Sequence, residues 1–224
     1  MKHENMSFDF LSLKHRIMLS IKESALLEFN ASSSSQLVPI FGLLGLSQLR
    51  PRAPKLIQVF WRPPEIGWVK VNTDGSFHNH LSAGYGGIFR NNEALFLGAF
   101  ANKVTVPSAL DAEVFAVIEA VNIAMTKGWC NLWVEVDSLV LLTYLRYPNR
   151  VPWRLLSRWS RCLHMISHLN FRISHIFKEG NSAADSLARF GASHDGWIWW
   201  DVLPSFLTSE FGRDINSQPA YRFA

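Results

Sequence analysis

The chain has 224 residues, 48% of them hydrophobic, and a formal net charge of +4. That is enough apolar material for one well-buried domain with length to spare, and a mildly basic balance that suits an anionic partner without requiring one. The two cysteines, Cys130 and Cys162, lie far apart without ligand spacing. This excludes a disulfide framework and a zinc site and favours a reducing, intracellular compartment, the nucleus or the cytoplasm.

Lys2, His3 and Glu4 lead into a mixed stretch, FLSLKHRIMLSIKESALLEF, which predicts one amphipathic helix rather than the apolar core of a signal peptide. ASSSS at 31–35 is a flexible linker. The most apolar run, LVPIFGLLGL at 37–46, carries Pro39 and Gly42 and is too short to span a bilayer, so it reads as a docking segment and no membrane partner is expected. RPRAP (50–54) and RPP (62–64) are stiff spacers. Residues 1–64 are therefore expected to form a linker-rich, partly disordered segment. A folded domain spans 65–195, and a tail at 196–224 opens on Trp197, Trp199 and Trp200.

From Trp68 short strands and helices alternate. Residues 68–74 predict a strand that stops at Asp74-Gly75-Ser76, a turn signal. GYGGIFRNN (84–92) and ALFLGAFANKV (94–104) predict two more strands in an antiparallel meander, joined at Asn91-Asn92. Ser108 with Asp111 makes a capping box for a helix that runs to Lys127, where Gly128 stops it. LWVEVD (132–137) is a fourth strand, followed by a short helix to Pro148 and a longer one over 153–168. FRISHIF (171–177) is a fifth strand, and Asn181 caps a last helix, SAADSLARFGA. The order predicts an α/β fold with a five-stranded mixed sheet, three antiparallel strands then two parallel, and helices packed on it.

Four acids fall at element junctions: Asp74 and Asp137 at strand ends, Glu113 and Asp185 in the opening turns of helices. Helix N-termini favour carboxylates and strand ends present residues to ligands. Taken singly, each is an ordinary boundary residue. Together they suit metal-assisted phosphoryl transfer, because magnesium takes hard oxygen ligands and relieves the mutual repulsion of clustered carboxylates.

NTDGS (72–76), Ala112-Glu113, VEVDS (134–138) and HIFKEGNSAAD (175–185) resemble the motifs of type 1 ribonuclease H over about residues 67–193. More narrowly, the chain is similar to the ribonuclease H-like domain of plant non-LTR retroelements and their domesticated relatives. The lead-in RPRAPK…VFWRPPEIGWVKVNTDGS and the tail WIWWDVLPSFLTSEFGRD resemble the flanks of that group, and no Y-x-D-D polymerase motif occurs. The resemblance implies a ribonuclease H-like fold and cleavage of the RNA strand of RNA–DNA hybrids with two Mg2+ ions, for which Mn2+ substitutes. Products would carry 5′-phosphate and 3′-hydroxyl ends. It implies a monomer without a small-molecule cofactor, and Asp74, Glu113, Asp137 and Asp185 as metal-binding carboxylates. His175 falls where bacterial members place a histidine that helps release product. Its place on the apolar side of FRISHIF equally suits a packed core residue.

Two departures stand out. Lys178 occupies a position where those relatives often have Arg, keeping the charge without the bidentate fork. Ser108, Ala109 and Leu110 stand where many members carry Thr-Asn-Asn; Ser108 can still bond a phosphate, but Ala109 and Leu110 cannot supply amide contacts to a hybrid's minor groove. These departures keep open a catalytically weak or inactive nucleic-acid-binding module of retroelement origin.

The 153–168 helix places Arg154, Arg158, Arg161 and His168 on one face, opposite Leu155, Leu156, Trp159, Leu163 and Ile166. The basic face is either an ordinary solvated face or a stripe that tracks phosphates. Trp153 either stacks on nucleic acid or joins the core.

Overall fold

The computed structural model describes residues 14, 16–20, 55–79 and 82–223. The linker at 31–35, the apolar run at 37–46, RPRAP and most of the N-terminal helix expected from the sequence lie outside them; residues 14 and 16–20 are helical. One compact unit runs from Ile57 to Arg222 and takes in the proline-marked lead-in and the Trp-rich tail. Among the described residues no helix is long and apolar enough to cross a membrane.

The elements are β1 (Leu56–Val59), β2 (Val69–Asn79), β3 (Ser82–Arg90), β4 (Phe96–Val104), α1 (Ala109–Lys127), β5 (Asn131–Val136), α2 (Leu139–Arg146), α3 (Trp153–Ile166), β6 (Asn170–His175), α4 (Ser182–Ser193), β7 (Trp197–Trp200), α5 (Thr208–Ile215) and β8 (Ala220–Phe223). The main sheet has the order β6-β5-β2-β3-β4-β7, and β1 and β8 form a second, two-stranded sheet. β2, β3 and β4 are antiparallel neighbours, and β5 and β6 lie parallel to β2. The expected five strands are all present.

The sixth strand was not anticipated. β7 comes from the Trp-rich tail and pairs antiparallel with β4 from Ala99↔Trp200 to Asn102↔Trp197. Gly98 makes room for it, since a Cβ there would lie 2.2 Å from the Trp199 ring. The indole also packs beside Phe89, ring centroids 6.1 Å apart.

A second correction concerns Asp74-Gly75-Ser76, which does not end its strand. All three residues stay in the ladder, opposite Gly86, Tyr85 and Gly84. The chain turns instead after Asn79, whose side chain accepts from the Ser82 N–H at 2.9 Å. Gly75 serves close packing. A Cβ there would lie 2.3 Å from the Glu113 backbone nitrogen and 2.6 Å from the Ala112 carbonyl carbon. The missing side chain thus lets α1 press its first turns against β2. Gly75→Ala is expected to cost about 1–3 kcal/mol through overpacking, read as a lower urea midpoint at unchanged m-value.

Neighbouring residues of β3 feed different cores. Phe89 belongs to the core that also holds Val114, Val117 and Val121 of α1 and Leu155 and Trp159 of α3. Ile88 belongs to the core that holds Ala183 and Leu187 of α4 and Leu207 and Phe211 of the tail. Alternation along a strand sends successive side chains to opposite faces, so helices cover both sides of the sheet.

Candidate active site

Asp74, Glu113 and Asp137 each offer an oxygen, and these three oxygens lie within 4.8 Å of one another. Asp74 is buried in the central strand β2, Glu113 is in the second turn of α1, and Asp137 follows β5. Parallel pairing of β2 with β5 and the close approach at Gly75 bring the three together. Asp185, near the start of α4, lies outside this triplet, yet its charge acts on both Asp74 and Asp137. It is held by Arg189 one helical turn on, at 2.5 Å, and by Lys178 at 3.6 Å.

The electrostatics follow from burial. Withdrawal from water pushes the Asp74 carboxyl up to about 8, and the charges of Asp137 and Asp185 push the same way, against one hydrogen bond from the Gly75 N–H. Burial also raises Glu113, partly offset by a hydrogen bond with Ser138. Asp137 is raised by burial and by Asp185, while Lys178 and His175 draw it down. Glu113 Oε2 is buried without a hydrogen-bond partner among the described residues. Three converging carboxylates, one of them holding an unsatisfied oxygen, are a donor set of the hard kind that Mg2+ or Mn2+ takes. The residues therefore fit a divalent ion.

Lys178 is exposed at the rim, and both Glu113 and Asp137 feel its charge. His175 is half-buried at the end of β6, with Nε2 3.2 Å from the Asp137 carbonyl oxygen and its ring edge-on to Phe177. A carbonyl only accepts, so Nε2 carries the proton in this contact. Ser138 and Arg189, which touch Glu113 and Asp185, were not singled out from the sequence. The Asp185–Arg189 spacing of four on a helix was the available signal for the second of them.

The basic face of α3 is divided. Arg154 makes a two-pronged pair with buried Asp111, both contacts at 2.8 Å, and so ties α3 to the first turn of α1. Arg158 lies over the Phe115 ring, 4.7 Å from its centroid, and Arg161 is exposed. Ser108 is occupied as the N-cap: its hydroxyl donates to the Asp111 carboxylate and accepts from the Asp111 N–H. Trp153 is 87% exposed, which removes it from the core. Leu156 is exposed as well, so the apolar face is narrower than its spacing suggested, and Leu155, Trp159 and Cys162 are its buried members. Arg154→Ala is expected to lower the melting temperature, because buried Asp111 would lose the partner that offsets its withdrawal from water. Arg161→Ala should leave the melting temperature in place.

The chain is similar to known proteins in sequence and in fold. Residues 72–191 match the family model described as reverse transcriptase-like. An Arabidopsis thaliana protein named as a candidate ribonuclease H protein is 31% identical over 200 residues, covering 87% of this chain; the chain spans 30% of that protein's length. Ribonuclease H1 of the halophilic archaeon Halobacterium salinarum superposes with a TM-score of 0.52 at 19% identity, over 56% of this chain and 98% of the archaeal one. A ribonuclease H1 solved in complex with RNA/DNA hybrid superposes with a TM-score of 0.50 at 20% identity, over 56% of this chain and 96% of that one. The matched residues run from Asn72 to Gly191 and enclose all four acids, and the chain belongs to the reverse transcriptase-like family, with a ribonuclease H-like domain.

Proposed function

We propose that this chain, as a monomer, hydrolyses the RNA strand of RNA–DNA hybrids at the acid cluster with two Mg2+ ions, and that residues 65–195 carry the chemistry. The observation that supports this best is the convergence of Asp74, Glu113 and Asp137 within 4.8 Å, with one Glu113 oxygen unpartnered among the described residues. A cluster that burial and mutual repulsion hold partly protonated gains from a cation that lets every carboxylate ionise. Bound divalent ions supply a Lewis acid that activates water and steadies the leaving oxygen of a phosphodiester.

In this reading Asp74, Glu113, Asp137 and Asp185 hold the ions. Arg189 fixes the Asp185 carboxylate, and Ser138 fixes Glu113. His175 holds the Asp137 main chain through its Nε2–H and so orients that carboxylate. Lys178, at the rim, meets phosphate as it enters or leaves. Ser108, Arg154 and Arg158 contribute more to the local fold than to backbone contact, and Arg161 is the member of the basic face best placed for a phosphate. The hybrid as ligand rests on the relative solved with one bound. Arg161→Ala is accordingly expected to weaken hybrid binding and to flatten the dependence of log K on log salt by about one unit of slope.

The test is incubation of the full chain with a hybrid labelled separately in its RNA and DNA strands, in Mg2+, in Mn2+ and in EDTA. Cutting confined to the RNA strand, dependent on metal and leaving 5′-phosphate and 3′-hydroxyl ends, is the expected result. Binding of the hybrid without cutting either strand would instead favour a non-catalytic binding module. A specific observation supports that second reading: Leu110 packs partly into the core where an amide could have faced the groove.

A further inference from the structure

A second buried polar network adjoins Asp74 along β2. Asn72, two residues before Asp74, is its hub. Its amide oxygen accepts from Trp61 Nε1 at 2.8 Å and from an Arg90 guanidinium nitrogen at 2.7 Å. Its amide nitrogen donates to Glu135 at 3.0 Å and to Asn181 Oδ1 at 3.2 Å. An amide has two acceptor and two donor positions, so every one is filled. Lys70 balances Glu135 at 2.8 Å, and Asp214 of α5 balances Arg90 at 2.6 Å. The Arg90 guanidinium also stacks 3.6 Å from the Trp61 ring centroid. Lys70, Asn72, Arg90 and Asn181 are all within 1% of full burial.

Asn181 carries the network to the acid site. Its side chain donates to the Thr73 carbonyl at 3.0 Å, next to Asp74, and its own carbonyl accepts the Asp185 N–H at 3.1 Å. Trp61 and Asp214 both lie outside the family-matched residues 72–191.

We infer that Trp61 of the lead-in and Asp214 of the tail are positioning residues: through Asn72 and Asn181 they set the start of α4, and with it Asp185, against the strand that carries Asp74. Buried hydrogen-bonded groups polarise one another, so loss of an outlying member is felt along the chain of bonds. This deepens the ribonuclease reading and rests on it only where metal binding is the readout.

The test compares the full chain with Trp61→Phe, which keeps a ring over Arg90 and removes one donor, and with Asp214→Asn. Amide hydrogen exchange is followed at residues 182–186 and at 114–124 inside α1. Trp61→Phe is expected to speed exchange at 182–186 about tenfold, the weight of one net hydrogen bond, with 114–124 unchanged. Mn2+ affinity measured by calorimetry should fall about tenfold in the same variant, on the same one-bond scale. Asp214→Asn should act in the same direction if it folds; Trp61→Phe decides the matter if it does not. Exchange at 182–186 that is unaltered, or raised equally at both places, overturns the inference, because Trp61 would then be cover for the core and nothing more. A wild-type chain that takes up no Mn2+ would sink the ribonuclease reading, and the exchange comparison would still decide this one.

Discussion

Asp74→Asn is expected to abolish metal-dependent hybrid cleavage, with single-turnover rates down by about a thousandfold or more, the scale on which loss of one preorganised group at a reacting centre is felt. The variant should fold. Asparagine has the same shape, and its amide oxygen can still accept the Gly75 N–H that Asp74 Oδ1 accepts at 2.8 Å. It should also be more stable than the wild type at pH 8 without metal, since burial and the charges of Asp137 and Asp185 all oppose ionisation of Asp74. Lost activity combined with gained metal-free stability is the signature of a group placed for chemistry at some cost to the fold. Urea unfolding in EDTA measures the second half. A less stable variant would mean that Asp74 serves the fold.

The second large effect is on pH. The folded chain holds the Asp74 proton up to about 8, whereas the unfolded carboxyl releases it near 3.8. Between those values the folded state binds more protons than the unfolded one, so stability falls as pH rises. Glu113 and Asp137, also raised by burial, contribute in the same direction. Asp111 contributes the other way: its carboxylate, held low by Arg154 and Ser108, loses its contribution only as pH drops through the acid range. The metal-free chain is therefore expected to lose on the order of 1 kcal/mol per pH unit across the middle of the window. Millimolar Mg2+ or Mn2+ at pH 8 should restore about 2.7 kcal/mol when present at a hundred times its dissociation constant. Chemical denaturation with and without EDTA, from pH 5 to pH 8, checks both. A flat profile that metal does not move would remove the carboxylate cluster as a binding site.

The convergence of Asp74, Glu113 and Asp137 was legible because acids at strand ends and in helix opening turns fall on one edge of such a sheet. Ser108 and Gly128 were legible because helix ends have local requirements that one or two residues meet; Asn181 stands at the N-cap position of α4, but its side chain makes no cap hydrogen bond and is taken up by Thr73 and Asn72 instead. Asp74-Gly75-Ser76 misled because the same three residues suit a turn and an extended strand crowded by a helix. Only the crowding at Gly75, where a Cβ would lie 2.3 Å from the Glu113 backbone nitrogen, decides between them. Helical spacing showed that Arg154, Arg158 and Arg161 share a face. It could not show that Asp111, 43 residues earlier, claims the first of them. Long-range pairing also hid the seat of β7 at Gly98 and the Asn72 network, whose partners lie up to 109 residues from the hub. None of these leaves a periodic trace in the chain.

A cation held between Asp74, Glu113 and Asp137 is the centre of the proposed activity. The most direct measurement is anomalous diffraction from crystals of the full chain grown with Mn2+. The predicted result is a peak about 2 Å from carboxylate oxygens of all three residues, absent in Asp74→Asn crystals grown in the same way. Mn2+ peaks at other surface positions, with none among these three carboxylates, would contradict it.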